Sequence, residues 1–127
     1  MNPKTILVAD DDDGIRFAIV CMLSDKGHKV LEATDEKSII TLADKAELWI
    51  IDARLPTNGY EGLLAVSSLK KKGVVPKYPI LFMSVDPDTF AADRLAALTR
   101  MGLKYEWLDK PFEPEYLLER IDTLVAI

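Results

Sequence analysis

Five times along the chain a short apolar run without polar alternation is followed by a longer segment with helical spacing, an order that few folds accommodate. The runs are Thr5–Ala9, Val30–Ala33, Leu48–Ile51, Ile80–Met83 and Tyr105–Leu108. They are rich in β-branched residues or bounded by turn signals, and they read as strands. The first helix is expected from about Gly14 to Lys26, ended by Gly27 at the C′ position. The second follows Thr34 as N-cap and runs through Ala46, and the third runs roughly from Tyr60 to Lys72 and stops at Gly73. Asp86-Pro87 supplies an N-cap and a proline at the first helical position of a fourth helix, which ends before Gly102. Glu113-Pro114 opens the last one. Strands of this kind need cover on both faces, which means a parallel sheet between two layers of helices. The expected fold is a three-layer, doubly wound α/β domain occupying residues 1–127. Such sheets bind ligands outside the carboxyl ends of their strands.

Composition agrees with one compact core, since 49% of the 127 residues are hydrophobic. The net charge is -5, and the Lys and Arg residues are scattered apart from Lys70-Lys71-Lys72, so no nucleic-acid surface is expected. A single cysteine, Cys21, excludes a disulfide framework and points to a reducing compartment. No apolar run approaches ~18 residues and the N-terminus lacks a signal-peptide core, so a cytoplasmic chain without membrane contact is expected.

The strand ends carry the chemistry. After the first apolar run the chain reads ILVADDDDG, with Asp10, Asp11, Asp12 and Asp13 in succession. Two unit charges ~4 Å apart repel by about 4 kcal/mol at an effective dielectric near 20, so such acids either face water or share a cation. The third strand ends at Asp52, the fourth at Ser84, and the fifth is followed by Asp109 and Lys110. An aspartate after a strand is ordinarily a turn or cap residue. Three acids, a hydroxyl and an ammonium from four strand ends form a constellation, and Asp10 and Asp11 beside Asp52 need a counter-ion.

The motifs VADDDDGIR, IIDARLP, ILFMS and DKPF, in that order, resemble the receiver domain of two-component response regulators, similar to the stand-alone chemotaxis and sporulation regulators. The resemblance spans almost the entire chain and implies a flavodoxin-like fold with strand order 2-1-3-4-5. It implies that Asp52 accepts a phosphoryl group from a histidine kinase or phosphotransfer protein. It also implies that Asp10, Asp11, Asp52 and the backbone carbonyl of Arg54 hold Mg²⁺, while Ser84 and Lys110 bind phosphoryl oxygens. The physical logic agrees. A carboxylate attacks an anionic phosphoryl group poorly unless cations cancel the repulsion, and phosphoryl transfer needs little beyond positioning and charge neutralisation. Mg²⁺ keeps several waters, so two or three carboxylates suffice.

Blander roles fall to the neighbours. Asp12 and Asp13 would cap the first helix, where negative charge is favoured, and His28 between Gly27 and Lys29 would be a solvated turn residue. Without phosphorylation, Lys110 would form an ion pair with Asp10 or Asp11. Two rivals are weighed. A haloacid-dehalogenase-type phosphohydrolase is mimicked by Asp11-Asp12-Asp13-Gly14, but it leaves Asp52 unexplained and needs a longer chain. A receiver-like module that binds partners without phosphorylation would be favoured by a missing site residue, and none is missing.

Departures from the family pattern set further expectations. The loop after Leu55-Pro56 is one residue short, and one extra residue lies between Gly102 and Lys110. Counting back from Lys110, the aromatic switch position falls on Trp107, with Tyr105 the runner-up. Arg54 and Asp86 could pair as a lid over the site, and Val85 replaces a small residue. The first helix is apolar on more than one face, and Ile15 and Ala18 are the expected contacts of a phosphodonor. With no room for an output domain, the chain is expected either to act by protein–protein contact or onward phosphotransfer, or to be an excised module of a larger protein, and not to be a conventional enzyme.

Overall fold

The computed structural model describes residues 3–53, 61–84 and 96–126. Five strands, β1 (Thr5–Ala9), β2 (Lys29–Ala33), β3 (Leu48–Asp52), β4 (Ile80–Ser84) and β5 (Tyr105–Asp109), form one parallel sheet in the order β2-β1-β3-β4-β5. The helices are α1 (Asp13–Asp25), α2 (Glu36–Leu42), α3 (Glu61–Lys71), helical residues 96–100 (α4) and α5 (Pro114–Val125). This is the flavodoxin-like α/β arrangement, with each strand placed where its apolar run predicts.

Strand alternation divides the core in two. Ile6 and Val8, Ile50, Leu81, Met83 and Leu108 face one side, where Ile19 and Leu23 of α1 and Leu117, Ile121 and Leu124 of α5 cover them. Leu7, Trp49, Ile51, Ile80 and Phe82 face the other, covered by Ile39 of α2, Leu63, Val66 and Leu69 of α3, and Leu98 of α4. Every residue of β3 and β4 is buried, which explains their lack of polar alternation.

The helix ends differ in detail from the sequence reading. Asp12 caps α1 as expected, accepting from the Ile15 N–H, and Asp13 lies in the first turn. At α2 the cap is Asp35, not Thr34. Its carboxylate accepts from the Ser38 N–H at 2.8 Å, and Ser38 Oγ accepts in return from the Asp35 N–H, a capping box with serine in place of the usual Glu or Gln. Nor does α2 reach Ala46: it ends at Leu42, and a tight turn Ala43–Lys45 follows. The buried Trp49 indole N–H donates to the carbonyls of Ala43 (3.1 Å) and Ala46 (3.3 Å), which pins that turn to the sheet. The expected opening of the fourth helix at Asp86-Pro87 lies outside the described residues.

His28 is also not the solvated turn residue expected. It is only 6% exposed, and its Nδ1 accepts the Lys4 backbone N–H at 3.0 Å, satisfying a donor at the entry to β1. Burial holds the imidazole below its usual pKa, with Asp122 opposing and Lys4 assisting. The folded form therefore carries His28 neutral, while the unfolded chain takes up a proton near pH ~6.5. Stability is then fully present above that pH and declines as the pH falls through it, until the lower folded pKa is passed. Urea unfolding between about pH 7.5 and 5.5 should show this decline, and His28→Asn should flatten it. An identical slope in the variant would assign the effect to other groups.

Candidate functional site

The alternation that sorts the core also aims the site residues. Asp10 continues the Ile6–Val8 series, Asp52 follows Ile50 and Lys110 follows Leu108, so all three lie above the α1/α5 face at the carboxyl ends of three strands. Asp10 is fully buried and Asp52 is 8% exposed. Carboxylate oxygens of Asp10, Asp11 and Asp52 all lie within 4.8 Å of one another, which suits a divalent ion. Lys110 Nζ reaches between two of them, donating to Asp10 Oδ2 at 2.6 Å and to Asp52 Oδ2 at 2.8 Å. The pair with Asp10 is one of the two expected, Asp10 or Asp11, and Asp52 is a further partner.

Charge and burial oppose one another here. Burial raises the Asp10 pKa, and the Lys110 hydrogen bond and the Asp12 N–H offset only part of that rise. For Lys110, burial pulls the pKa down, but the hydrogen bonds to Asp10 and Asp52 and their charges outweigh it, so the ammonium is held more firmly than usual. Both Asp10 oxygens are committed, Oδ1 to the Asp12 N–H at 2.9 Å and Oδ2 to Lys110. Asp11, half-buried, and Asp52 are the more open members of the triad.

Ser84 ends β4, is 1% exposed, and lies opposite Asp109 in the register. Its carbonyl accepts the Lys110 N–H at 2.8 Å, which ties the β5 exit to β4. Trp107 pairs with Phe82, one pleat below Ser84, on the α3/α4 side of the sheet. Its indole N–H is buried with no hydrogen-bond partner, whereas that of Trp49 has two. Arg54, Val85 and Asp86, and with them the expected lid, lie outside the described residues.

Two positions escaped the sequence reading. Arg16 fastens the acidic loop: it donates to the Asp10 carbonyl at 2.8 Å, to Asp13 at 2.6 Å and to Glu32 at 3.0 Å. Three acceptors at 3, 6 and 16 residues' separation give no single spacing to recognise. Gly62 is the other. A β-carbon there would lie 2.0 Å from the Asp52 carbonyl oxygen, so α3 rests directly on the backbone of the candidate acceptor.

An acidic cleft with an embedded ammonium, at the carboxyl edge of a 2-1-3-4-5 parallel sheet, defines a class of phosphoryl-receiving signalling domains. The response regulator receiver domain family matches residues 6–122, and the chain belongs to that family, the phosphoryl-accepting part of two-component systems. The probable transcriptional regulator ycf29 of Pyropia yezoensis is 36% identical over 99% of this chain and 54% of its own length. The phosphate regulon transcriptional regulatory protein PhoB of Pseudomonas aeruginosa is 28% identical over 98% of this chain and 53% of its own. This chain thus spans about half the length of the curated relatives it matches. Among solved structures, the chemotaxis protein CheY4 of Vibrio cholerae has a TM-score of 0.78 at 26% identity, covering 97% of this chain and 99% of that one. Among the described residues no helix is long and apolar enough to cross a membrane.

Proposed function

We propose that Asp52 is the phosphoacceptor of a cytoplasmic receiver that fills residues 1–127 and takes its phosphoryl group from a histidine kinase or phosphotransfer protein. The observation that carries this reading is the Lys110 ammonium bridging Asp10 and Asp52, of which only Asp52 is open to solvent. A carboxylate oxygen of Asp52 forms the new O–P bond as the donor's P–N bond breaks and its imidazole leaves. Lys110 is placed to follow the negative charge from the carboxylate to the phosphoryl oxygens, and Ser84 supplies a hydroxyl donor on the adjacent strand. Asp11 and Asp52, with the Arg54 carbonyl, would hold Mg²⁺, and Asp10, whose oxygens are engaged, would act through water. When bound, that ion supplies positive charge against the phosphoryl oxygens. The protein turns over no substrate of its own; it carries the group on its own side chain.

Labelling with a small acyl phosphate and Mg²⁺, followed by peptide mapping, tests the assignment. The label should sit on Asp52 and vanish when the ion is chelated. Label on Asp11, or none, would overturn it. The same sample reports the switch. If Ser84 is drawn toward the phosphoryl group, the space it vacates could admit Trp107, and a partner gained there by its orphaned N–H would be worth about 1–3 kcal/mol over a buried unpaired donor. Trp107 emission in a Trp49→Phe background should therefore change on adding beryllium fluoride with Mg²⁺, and constant emission would exclude Trp107 as the moving residue.

For the donor, the fitting surface is the groove of about 750 Å³ between α1 and α5, where Ile15, Ala18, Met22 and Phe112 lie beside Lys110. Phe17, 70% exposed, extends the apolar face of α1 outward. Ile15→Asp should slow transfer from a protein donor and spare a small acyl phosphate. Equal losses with both would mean misfolding.

A further inference from the structure

The opposite pole of the sheet, where strands begin, carries a feature that phosphoryl chemistry does not use. A cleft of about 390 Å³ lies between the loop after α3 and the entry to β5. Its walls carry Lys70, Lys77 and Lys104, and its apolar surface comes from Val75, Pro79 and Leu103. Tyr78 closes one side, and the ammoniums of Lys4 and Lys77 lie 5.5 and 5.4 Å from its ring centre. The two cations, Lys4 first, hold the Tyr78 phenol below its ordinary pKa. Among the described residues no acidic side chain lines the cleft, and none of these four lysines has an ion-pair partner.

Lys70 stands in the last turn of α3, where a cation offsets the helix dipole. Lys77 and Lys104 are in connecting segments, where no helix dipole calls for a cation. Val75, 48% exposed, adds an apolar contact between the cations. We propose that this cleft docks a short acidic segment of a partner protein, its carboxylates paired with Lys70, Lys77 and Lys104 and one apolar side chain seated against Val75, Pro79 and Leu103. A small anion would use the lysines and leave the apolar wall bare. An extended polyanion such as nucleic acid or an anionic membrane meets the long-range repulsion of a chain with net charge -5. A short segment experiences chiefly the local field, because charges beyond ~8 Å are screened at physiological salt. The cleft lies at the strand entries and the acidic triad at the strand exits, so docking does not compete with phosphorylation and persists in both states.

Fluorescein-labelled peptide pools rich in Asp and Glu, each with one Leu, Phe or Val, are titrated against the full chain by anisotropy. At least one pool should bind, more weakly as salt rises, and with the same affinity in the presence of beryllium fluoride and Mg²⁺. Lys77→Glu with Lys104→Glu should weaken that binding by about tenfold or more. Should the charge reversals lower the urea midpoint, Lys77→Gln with Lys104→Gln replaces them and should weaken binding in the same direction. Val75→Ser should weaken the same pool, whereas an equally charged peptide without the apolar residue should bind weakly and ignore Val75. No binding above a neutral pool, binding unaltered by the lysine changes, or tighter binding of heparin or phosphatidylserine vesicles would overturn the proposal. So would self-association of the chain that the lysine reversals abolish, since the cleft would then be occupied by a second copy.

Discussion

Lys110→Met is expected to lower folding stability by about 3–5 kcal/mol without divalent ions and to slow labelling of Asp52 by roughly 10²–10³-fold. The stability loss follows from burial. Asp10 has no exposed side-chain surface, and its Oδ2 loses the 2.6 Å contact that compensates its charge. Asp52 loses its own 2.8 Å contact at the same moment, and three carboxylates within 4.8 Å of one another remain. Millimolar Mg²⁺ should restore part of the stability in the variant, because an ion among Asp10, Asp11 and Asp52 would then be the cation nearest all three. It should do little for labelling, since the ammonium that follows the charge onto the phosphoryl oxygens is gone. Combining Lys110→Met with Asp10→Asn removes both halves of the buried pair and should recover most of the stability without recovering the rate. Urea unfolding with and without Mg²⁺ and labelling with a small acyl phosphate separate the two effects. A Lys110→Met protein as stable as wild type in chelator would mean that the pair does not hold the charge as argued.

That coupling was only partly legible in the sequence. The strand ends and their acids could be read because parallel sheets bring all strand exits to one edge, whatever the details of packing. Alternation then places Asp10, Asp52 and Lys110 on one face, two residues beyond Val8, Ile50 and Leu108, and requires no knowledge of contacts. Which acid Lys110 would choose depends on side-chain reach from the end of β5 past β4 toward β3 and β1, which no spacing encodes. His28 was misread for a related reason. A lone histidine between Gly27 and Lys29 looks like a turn, and only the unpaired N–H at Lys4, 24 residues away, explains its burial. At α2, Thr34 and Asp35 are both good caps by type, and Ser38 decided between them by answering Asp35. The sequence was therefore readable where topology alone places a residue, and failed where the choice of partner decided, whether that partner was distant, as Lys4 is for His28, or in the same helix turn, as Ser38 is for Asp35.

Gly62→Ala is expected to be among the most damaging single-methyl additions in the protein. The new β-carbon would lie 2.0 Å from the Asp52 carbonyl oxygen, and 3.0 Å from both the Asp52 carbonyl carbon and Ile51 Cγ2. Backbone cannot rotate away as a flexible side chain can, so either α3 withdraws from the sheet or the end of β3 shifts. Withdrawal loosens Leu63, Val66 and Leu69, each at most 2% exposed, and overpacking of this kind costs typically ~1–3 kcal/mol. Alanine's better helix propensity returns about 1 kcal/mol, because Gly62 is not among the glycines with positive φ and its backbone already suits an L-residue. The net expectation is a loss of up to about 2 kcal/mol by urea unfolding. The effect on labelling should be larger than stability alone explains, since a misplacement of ~1 Å at a reacting group can cost about 10²-fold. Gly14→Ala supplies the control. Its β-carbon would meet only Asp12 Oδ1 at an ordinary 3.4 Å in the exposed first turn of α1, so it should stabilise by up to ~1 kcal/mol and leave labelling intact. Were Gly62→Ala to label Asp52 at the wild-type rate under conditions where it is folded, the contact between α3 and the Asp52 carbonyl would not be what positions the acceptor.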